Sequence, residues 1–523
     1  MRPLRATLAT LALSFGLLAV ASASTSPATA PAIAWRKPDG AKVDAIFAQA
    51  RKNNKPVFLY WGAVWCPPCN QIKATVFTRP DFAERSKSFL AVYIDGDTPG
   101  AQKLGAQFKV MGYPTMIVFK PDGTELTRIP GEVDAARYME VLDLALASSS
   151  SVKESLATAL GPNAATLTPQ AWRQLAFYSW EQDQAQLVPE KERPATLRAL
   201  AQACPPAHAE AATRLQLKAA IAFGQNKTAL PAPESTLARL REVLADAALS
   251  RNHFDILENY ASDLVQALSA KASPERAALV AAFNSSLDNL AKDTSLTRSD
   301  QLGAVQAKLD ISRIDAPEGS KAAPAAPLVA QARAAAIAAE RETTDAHERQ
   351  AIVPNAAHLL ADAGLLDESD AMLKAELPKA ISPYYHMLVL SSNAKKRGDK
   401  AAALDWSERA WKESKGPATR LQWGSGYISK LLEMSPQDSA RIEKAALGVL
   451  AEVSPTPETF YERNRRVLQR MGKQLLAWND KGEHQATITK LSRQLDQVCN
   501  KLPREDEARK ACSTVFKPSN NKV

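Results

Sequence analysis

A chain of 523 residues is too long to close around a single core and implies several domains. With 46% hydrophobic and 23% charged residues and only 5 cysteines, it is neither a disordered chain nor a disulfide scaffold. The formal charge of +9 is mild over this length.

Met1–Leu8 carries Arg2 and Arg5 and no acid, Ala9–Ala21 is almost unbroken apolar, and Ala21-Ser22-Ala23 is a small-residue cleavage pattern. The run is shorter than the ~20 residues of a spanning helix. Residues 1–23 are therefore expected to be a signal peptide. The mature chain is then periplasmic or secreted, not an integral membrane protein, and meets an oxidising compartment. Export also removes nucleic acid from the expected partners. Residues 24–34, rich in Ser, Thr, Ala and Pro, form a flexible leader.

Residues 35–147 alternate two periodicities. Val43, Ile46, Phe47 and Ala50 fall at helical spacing, and Val57–Trp61 is a short apolar strand. A strand at Phe89–Ile94 and a helical patch at Ala101–Phe108 follow. Thr115–Phe119 and Thr124–Ile129 flank the turn Lys120-Pro121-Asp122-Gly123, and Asp134–Leu146 closes as a helix. Strands alternating with helices predict an α/β sheet covered on both faces. After Ser148–Ser151 the pattern is alanine-rich and helical without a convincing strand. Two helical subdomains are expected, 152–315 and 328–523, separated by the Pro/Gly-containing loop Ala316–Pro327. In the second, Gly398-Asp399 with Ala403, Leu404, Trp406 and Ala410 resembles the turn and second helix of a tetratricopeptide repeat. The basic run Arg463, Arg465, Arg466 and Arg470 reads as a solvated helix face.

The chemistry is concentrated at Trp65-Cys66-Pro67-Pro68-Cys69, which follows an apolar strand and opens a helical segment, Asn70–Val76. Unpaired N–H groups at a helix start hold the first cysteine partly as thiolate, and the second, one turn on, can resolve a mixed disulfide. Pro68 suits a first-turn position that needs no N–H. The other reading of such a pair is half a zinc site. That needs about four ligands, and no second C-x-x-C occurs and no histidine precedes His208, so no metal is expected. Cys499 and Cys512 bracket Pro503 and a charged run. They read as a disulfide closing a helical hairpin, worth roughly 3 kcal/mol, or as a second redox centre. Cys204 continues an apolar helical face and reads as a core thiol, and the six histidines as ordinary surface or core residues.

Strand, W-C-x-x-C, helix and then Gly112-Tyr113-Pro114-Thr115 before a hairpin resembles the thioredoxin-fold pattern. With Lys55-Pro56, Val76-Phe77-Thr78, Pro80 and Phe82, the segment looks most like the C-terminal domain of DsbD-type disulfide reductases, over about 110 residues. The resemblance implies a cis Tyr113–Pro114 bond against the Cys66 sulfur and a substrate groove shaped by Trp65, Pro68, Tyr113, Pro114 and Thr115. It also implies reduction of protein disulfides without a bound cofactor, with electrons from a membrane donor of the DsbD type. The chain departs from the pattern at Tyr60, where a buried aspartate is usual, at Tyr93, where a lysine is usual, and at Val64, where an acid is usual. A tyrosine hydroxyl is a poor base near neutral pH, which puts the second exchange step in question. Two other functions fit the same residues: a helical adaptor that uses the α/β domain for docking, and a net disulfide oxidant separated from a reductant only by potential.

Overall fold

The structure is a computed structural model that describes residues 33–38, 43–98, 100–131, 133–181, 183, 187–317 and 323–517. The segment read as a signal peptide, and all of the leader but its last two residues, lie outside the described residues.

The first described domain is an α/β layer. Its elements are α1 (Val43–Asn53), β1 (Val57–Gly62), α2 (Pro67–Thr75), α3 (Pro80–Arg85), β2 (Leu90–Asp95), α4 (Ala101–Gln107), β3 (Thr115–Phe119), β4 (Glu125–Ile129) and α5 (Ala135–Ala147). The sheet runs β2-β1-β3-β4, with β1 parallel to β2 and antiparallel to β3, and β3 antiparallel to β4. The side-chain period of two sorts β1 cleanly. Val57, Leu59 and Trp61 pack with α1 and α4, and Phe58 and Tyr60 with α2 and α5. Every residue of β1 is buried because helices cover both faces. Asp134 caps α5 by accepting from the N–H groups of Ala136 and Arg137.

From Val152 to Ser513 the described residues form twenty α-helices and no strand. A capping box between Ser151 and Glu154 starts the first of them directly after α5. Helices Pro383–Arg397 and Lys400–Glu413 make a hairpin. Gly398 turns it with φ +84°, a conformation glycine adopts without a Cβ penalty, and the Asp399 side chain caps the second helix. The expected loop Ala316–Pro327 falls between helices Arg298–Ser312 and Ala326–Glu342, and residues 318–322 of it lie outside the described residues. Within the helical region Arg214 grips Asp255 through two hydrogen bonds, 3.0 and 2.5 Å, with both side chains buried.

The helical region closes on the α/β domain at the end that carries α2. Helix Ala346–Asp362 packs on α2, helix Glu462–Trp478 on α4, and helix Pro169–Ala176 on α5.

Candidate functional site: a disulfide at a helix start beneath a helical cap

The chain turns after β1 so that Cys66 becomes the N-cap residue of α2, and prolines 67 and 68 fill the first helical positions, where no N–H is needed. The Cys66 Sγ accepts a hydrogen bond from the Cys69 N–H at 3.2 Å. This is the arrangement that favours an anion at a helix start, and hence a thiolate once the pair is reduced. Cys66 and Cys69 are joined as a disulfide, and their exposures are 2% and 0%. Asn70 clamps the loop before the helix. Its Nδ2 donates to the carbonyls of Val64 (2.7 Å) and Cys66 (3.0 Å), so its Oδ1 is left as the acceptor for His347 Nδ1 at 2.8 Å. That assignment places the His347 proton on Nδ1.

The Tyr113–Pro114 bond is cis, and Thr115, at the start of β3, donates its hydroxyl to the Gly112 carbonyl at 2.9 Å. Tyr113 lies edge-on to Trp65 with ring centroids 6.4 Å apart. It fits only because residue 96 is glycine, since a Cβ there would come within 1.9 Å of the Tyr113 hydroxyl. Tyr60 donates its hydroxyl to the Cys69 carbonyl at 3.3 Å and stacks on Tyr93 at 5.3 Å. Burial, with smaller contributions from Tyr93, Tyr138 and Asp95, holds the Tyr60 hydroxyl well above its ordinary pKa. Burial raises Tyr93 in the same way. Neither phenol can take a proton from Cys69 near neutral pH. Val64 is an exposed apolar residue at 42%.

Trp65 is enclosed by the helical region. Its Nε1 donates to Thr419 Oγ1 at 2.7 Å, its ring stacks on Tyr385 at 6.1 Å, and it meets Trp423 edge-on at 5.2 Å. The Arg463 guanidinium lies 4.8 Å from the Tyr113 ring centroid and 5.6 Å from that of Trp65, close enough for cation–π attraction. Asp97 joins the two regions: it accepts from the Thr419 N–H at 2.7 Å and from the Thr419 hydroxyl, and its carboxylate stands 3.7 Å from Arg463. Burial pushes Asp97 above the usual carboxylate range, against the opposing pull of Arg463.

The basic run is thus not a uniformly solvated face. Arg463 packs on Trp65 and Tyr113, and Arg466 donates to the Met111 carbonyl at 3.2 Å, whereas Arg465 and Arg470 are exposed. Positions 463 and 466 are three apart on one helix face, and the first turns of that helix lie against α4. Asn70, Asp97, His347, Thr419 and Arg463 were not singled out from the sequence as site residues. Asn70 alone carried a local signal, one residue beyond the C-x-x-C pair.

Pro68, Tyr113 and Pro114 line a cleft between α2 and the helical region. Cys499 and Cys512 form a second disulfide, between helices Gln485–Cys499 and Glu507–Ser513, buried in a core with Leu491, Leu495 and Val515. Cys204 is a free, buried cysteine whose thiol burial pushes up to about 11. Among the described residues no cluster of three or more His, Cys, Asp or Glu side chains could hold a metal ion.

Residues 43–146 match the model of a thioredoxin-like domain. The chain is 35% identical over 106 residues to the thiol:disulfide interchange protein DsbD 1 of Pseudomonas aeruginosa, covering 20% of this chain and 18% of that protein. It is 33% identical over 104 residues to DsbD of Pseudomonas fluorescens, covering 19% and 18%. The chain thus spans about 18% of the length of these curated relatives. A solved structure titled DsbH oxidoreductase aligns over 25% of this chain and 94% of its own, at 21% identity and a TM-score of 0.21. The α/β domain is a thioredoxin-like domain followed by a long all-helical region.

Proposed function

We propose that the protein is an exported thiol–disulfide oxidoreductase that reduces or exchanges protein disulfides. The observation that carries the reading is the Cys66 Sγ at the start of α2, receiving the Cys69 N–H within a thioredoxin-like domain. In the reduced protein, Cys66 thiolate attacks one sulfur of a substrate disulfide. That bond breaks, and the leaving sulfur departs as a thiolate that takes a proton from water. Cys69, once deprotonated, attacks Cys66 Sγ and expels the second substrate sulfur. Two electrons pass to the substrate, and the pair ends as the Cys66–Cys69 disulfide. An external dithiol must restore it, and by likeness to the DsbD relatives that donor is a membrane protein of the same exchange chemistry. Trp65, Pro68, Tyr113, Pro114 and Thr115 shape the groove, and no bound cofactor is needed. Export rests on the charged and apolar N-terminal segments of the sequence. No described helix is long and apolar enough to cross a membrane.

A second reading has the thioredoxin-like domain as a docking module of a helical adaptor, possessing the dithiol but not turning it over. The near-complete burial of Cys66 and the enclosure of Trp65 favour it. Titrating the Cys66/Cys69 pair in glutathione buffers, with trapping of both thiols, separates the readings. An oxidoreductase equilibrates within minutes at a potential inside the family range of about −270 to −120 mV, and its place in that range distinguishes reductant from oxidant. A pair that stays oxidised and inert in the folded chain refutes catalysis.

A further inference from the structure

Within the helical region, away from the redox pair, lies a cavity of about 490 Å3. Helices Arg193–Ala203, Ala209–Gln225 and Glu234–Ala245 supply most of its lining, and residues 230–232 of the loop before the third helix complete it. The volume falls inside the roughly 300–1,000 Å3 of small-ligand sites. The lining is graded in polarity. Its buried residues, Cys204, Thr213, Ala219, Leu230 and Thr236, are apolar apart from two hydroxyls, whereas Gln202, Ser235 and Arg239 are exposed and Arg198 is half-buried.

Those two hydroxyls depart from the habit of helical threonines in this chain. Thr75, Thr158 and Thr489 each donate to the carbonyl four residues back, at 2.8, 3.0 and 2.8 Å. Thr213 and Thr236 are each 6% exposed, and among the described residues neither hydroxyl has a hydrogen-bond partner. Gln216, also in the lining, has its Oε1 buried without a partner. Buried polar atoms left unpaired are costly, and a bound group that pairs with them recovers that cost. The charge has one sign: Arg198 and Arg239 line the cavity, and among the described residues no Asp or Glu does. Arg239 is paired with Glu242 at 2.6 Å, but Arg198 has neither an ion pair nor a hydrogen bond among the described residues.

We propose that this cavity binds a small organic carboxylate whose apolar body carries an amide or hydroxyl group. The carboxylate pairs with Arg198, the apolar body lies against Ala219 and Leu230, and its polar group meets Thr213 and Thr236. Cys204 belongs to the wall: burial pushes its thiol up to about 11, so near neutral pH it is a neutral thiol and not a nucleophile. The site is a binding site separate from thiol–disulfide exchange, and it stands whether or not the Cys66/Cys69 pair turns over.

The test uses the full chain with both disulfides formed, near pH 8, where ordinary carboxylates are ionised. The probes are N-acetyl-leucine and N-acetyl-leucinamide, which differ in charge but hardly in shape, and binding is measured by calorimetry. N-acetyl-leucine should fill one saturable site per chain, and the amide should bind roughly fivefold more weakly or worse, the size of one close charge pair in water. Arg198→Gln should remove that preference, ~1 M salt should shrink it, and Thr213→Val should weaken both compounds alike. With both disulfides intact Cys204 is the one free thiol of the 5 cysteines, so it reports on the cavity. Its modification by methyl methanethiosulfonate should slow in proportion to the N-acetyl-leucine bound. Absence of saturable binding, equal affinities for the two compounds, or a preference that survives Arg198→Gln overturns the proposal. An unchanged rate at Cys204 when the chain is saturated puts the compound elsewhere and overturns it equally.

Discussion

Cys66 and Cys69 are three residues apart yet differ in every contact that matters for exchange. Cys66 Sγ faces N–H groups at the helix start, whereas Cys69 lies inside the first turn, fully buried, with Tyr60 hydrogen-bonded to its carbonyl. Cys66→Ser should therefore abolish exchange, and Cys69→Ala should accumulate mixed disulfides through Cys66, as seen on non-reducing gels. Adducts on Cys69 in a Cys66→Ala chain would reverse the roles. A second residue-scale expectation concerns acid. His253 is buried, and burial, aided by the neighbouring Arg214 cation, lowers its pKa to about 4. The unfolded chain, with an ordinary histidine near 6.5, then binds more protons than the folded chain between those values. Stability is accordingly lost as the pH falls from about 6.5 towards 4, by up to roughly 3 kcal/mol from this group. His253→Asn, whose amide can keep the hydrogen bond to the Leu249 carbonyl, should flatten that slope in denaturant titrations; an unchanged slope counts against the assignment.

At the scale of elements, the docking of helix Pro417–Met434 depends on the residue before it. Gly416 has φ +85°, and a Cβ there would stand 2.7 Å from the Asp97 Cβ. Gly416→Ala combines a strained backbone with a clash against the junction that Thr419 and Arg463 share, so it should loosen the helical cap. The expected readout is faster hydrogen exchange in α2 and a shift in Trp65 emission, with the thioredoxin-like domain still folded. Exchange equal to that of the parent chain would show that the cap is held elsewhere. The Arg214–Asp255 pair offers a stability test within the helical region. Asp255→Ala leaves a buried guanidinium unpaired and should cost about 3–5 kcal/mol, while the double change Arg214→Met with Asp255→Ala should recover part of it. Equal losses in the single and double variants would contradict that account.

For the whole molecule the question is why a thioredoxin-like domain is covered at its α2 end by an all-helical region that runs from Val152 to Ser513. No cluster of catalytic residue types recurs across those helices in the sequence, which argues for selection or binding. If the helical region selects substrates, full chains carrying Cys69→Ala should trap physiological partners covalently, and the double change Cys66→Ser with Cys69→Ser should release them. An adaptor would hold the same partners after the double change. Proteomic comparison of the two captures decides between them.

Alternating apolar residues and a turn sequence made the α/β layer legible, because strand and helix periods are local properties of the chain. The start of α2 was legible for the same reason, since prolines 67 and 68 and the cysteines beside them speak only of their own turn. Long amphipathic, alanine-rich runs likewise announced an all-helical remainder. What local pattern could not contain is the cap. Trp65 meets Thr419 across 354 residues, Asn70 meets His347 across 277, and Asn464 meets Gln102 across 362. An arginine at the start of an amphipathic helix has the same periodicity whether it faces water or a tryptophan, so Arg463 read as solvated. The contacts of Asn70 with His347 and the enclosure of Trp65 are properties of two surfaces meeting. They arise only once the chain has folded back on itself, because charge and apolar area acquire a partner by position in space and not by position in sequence.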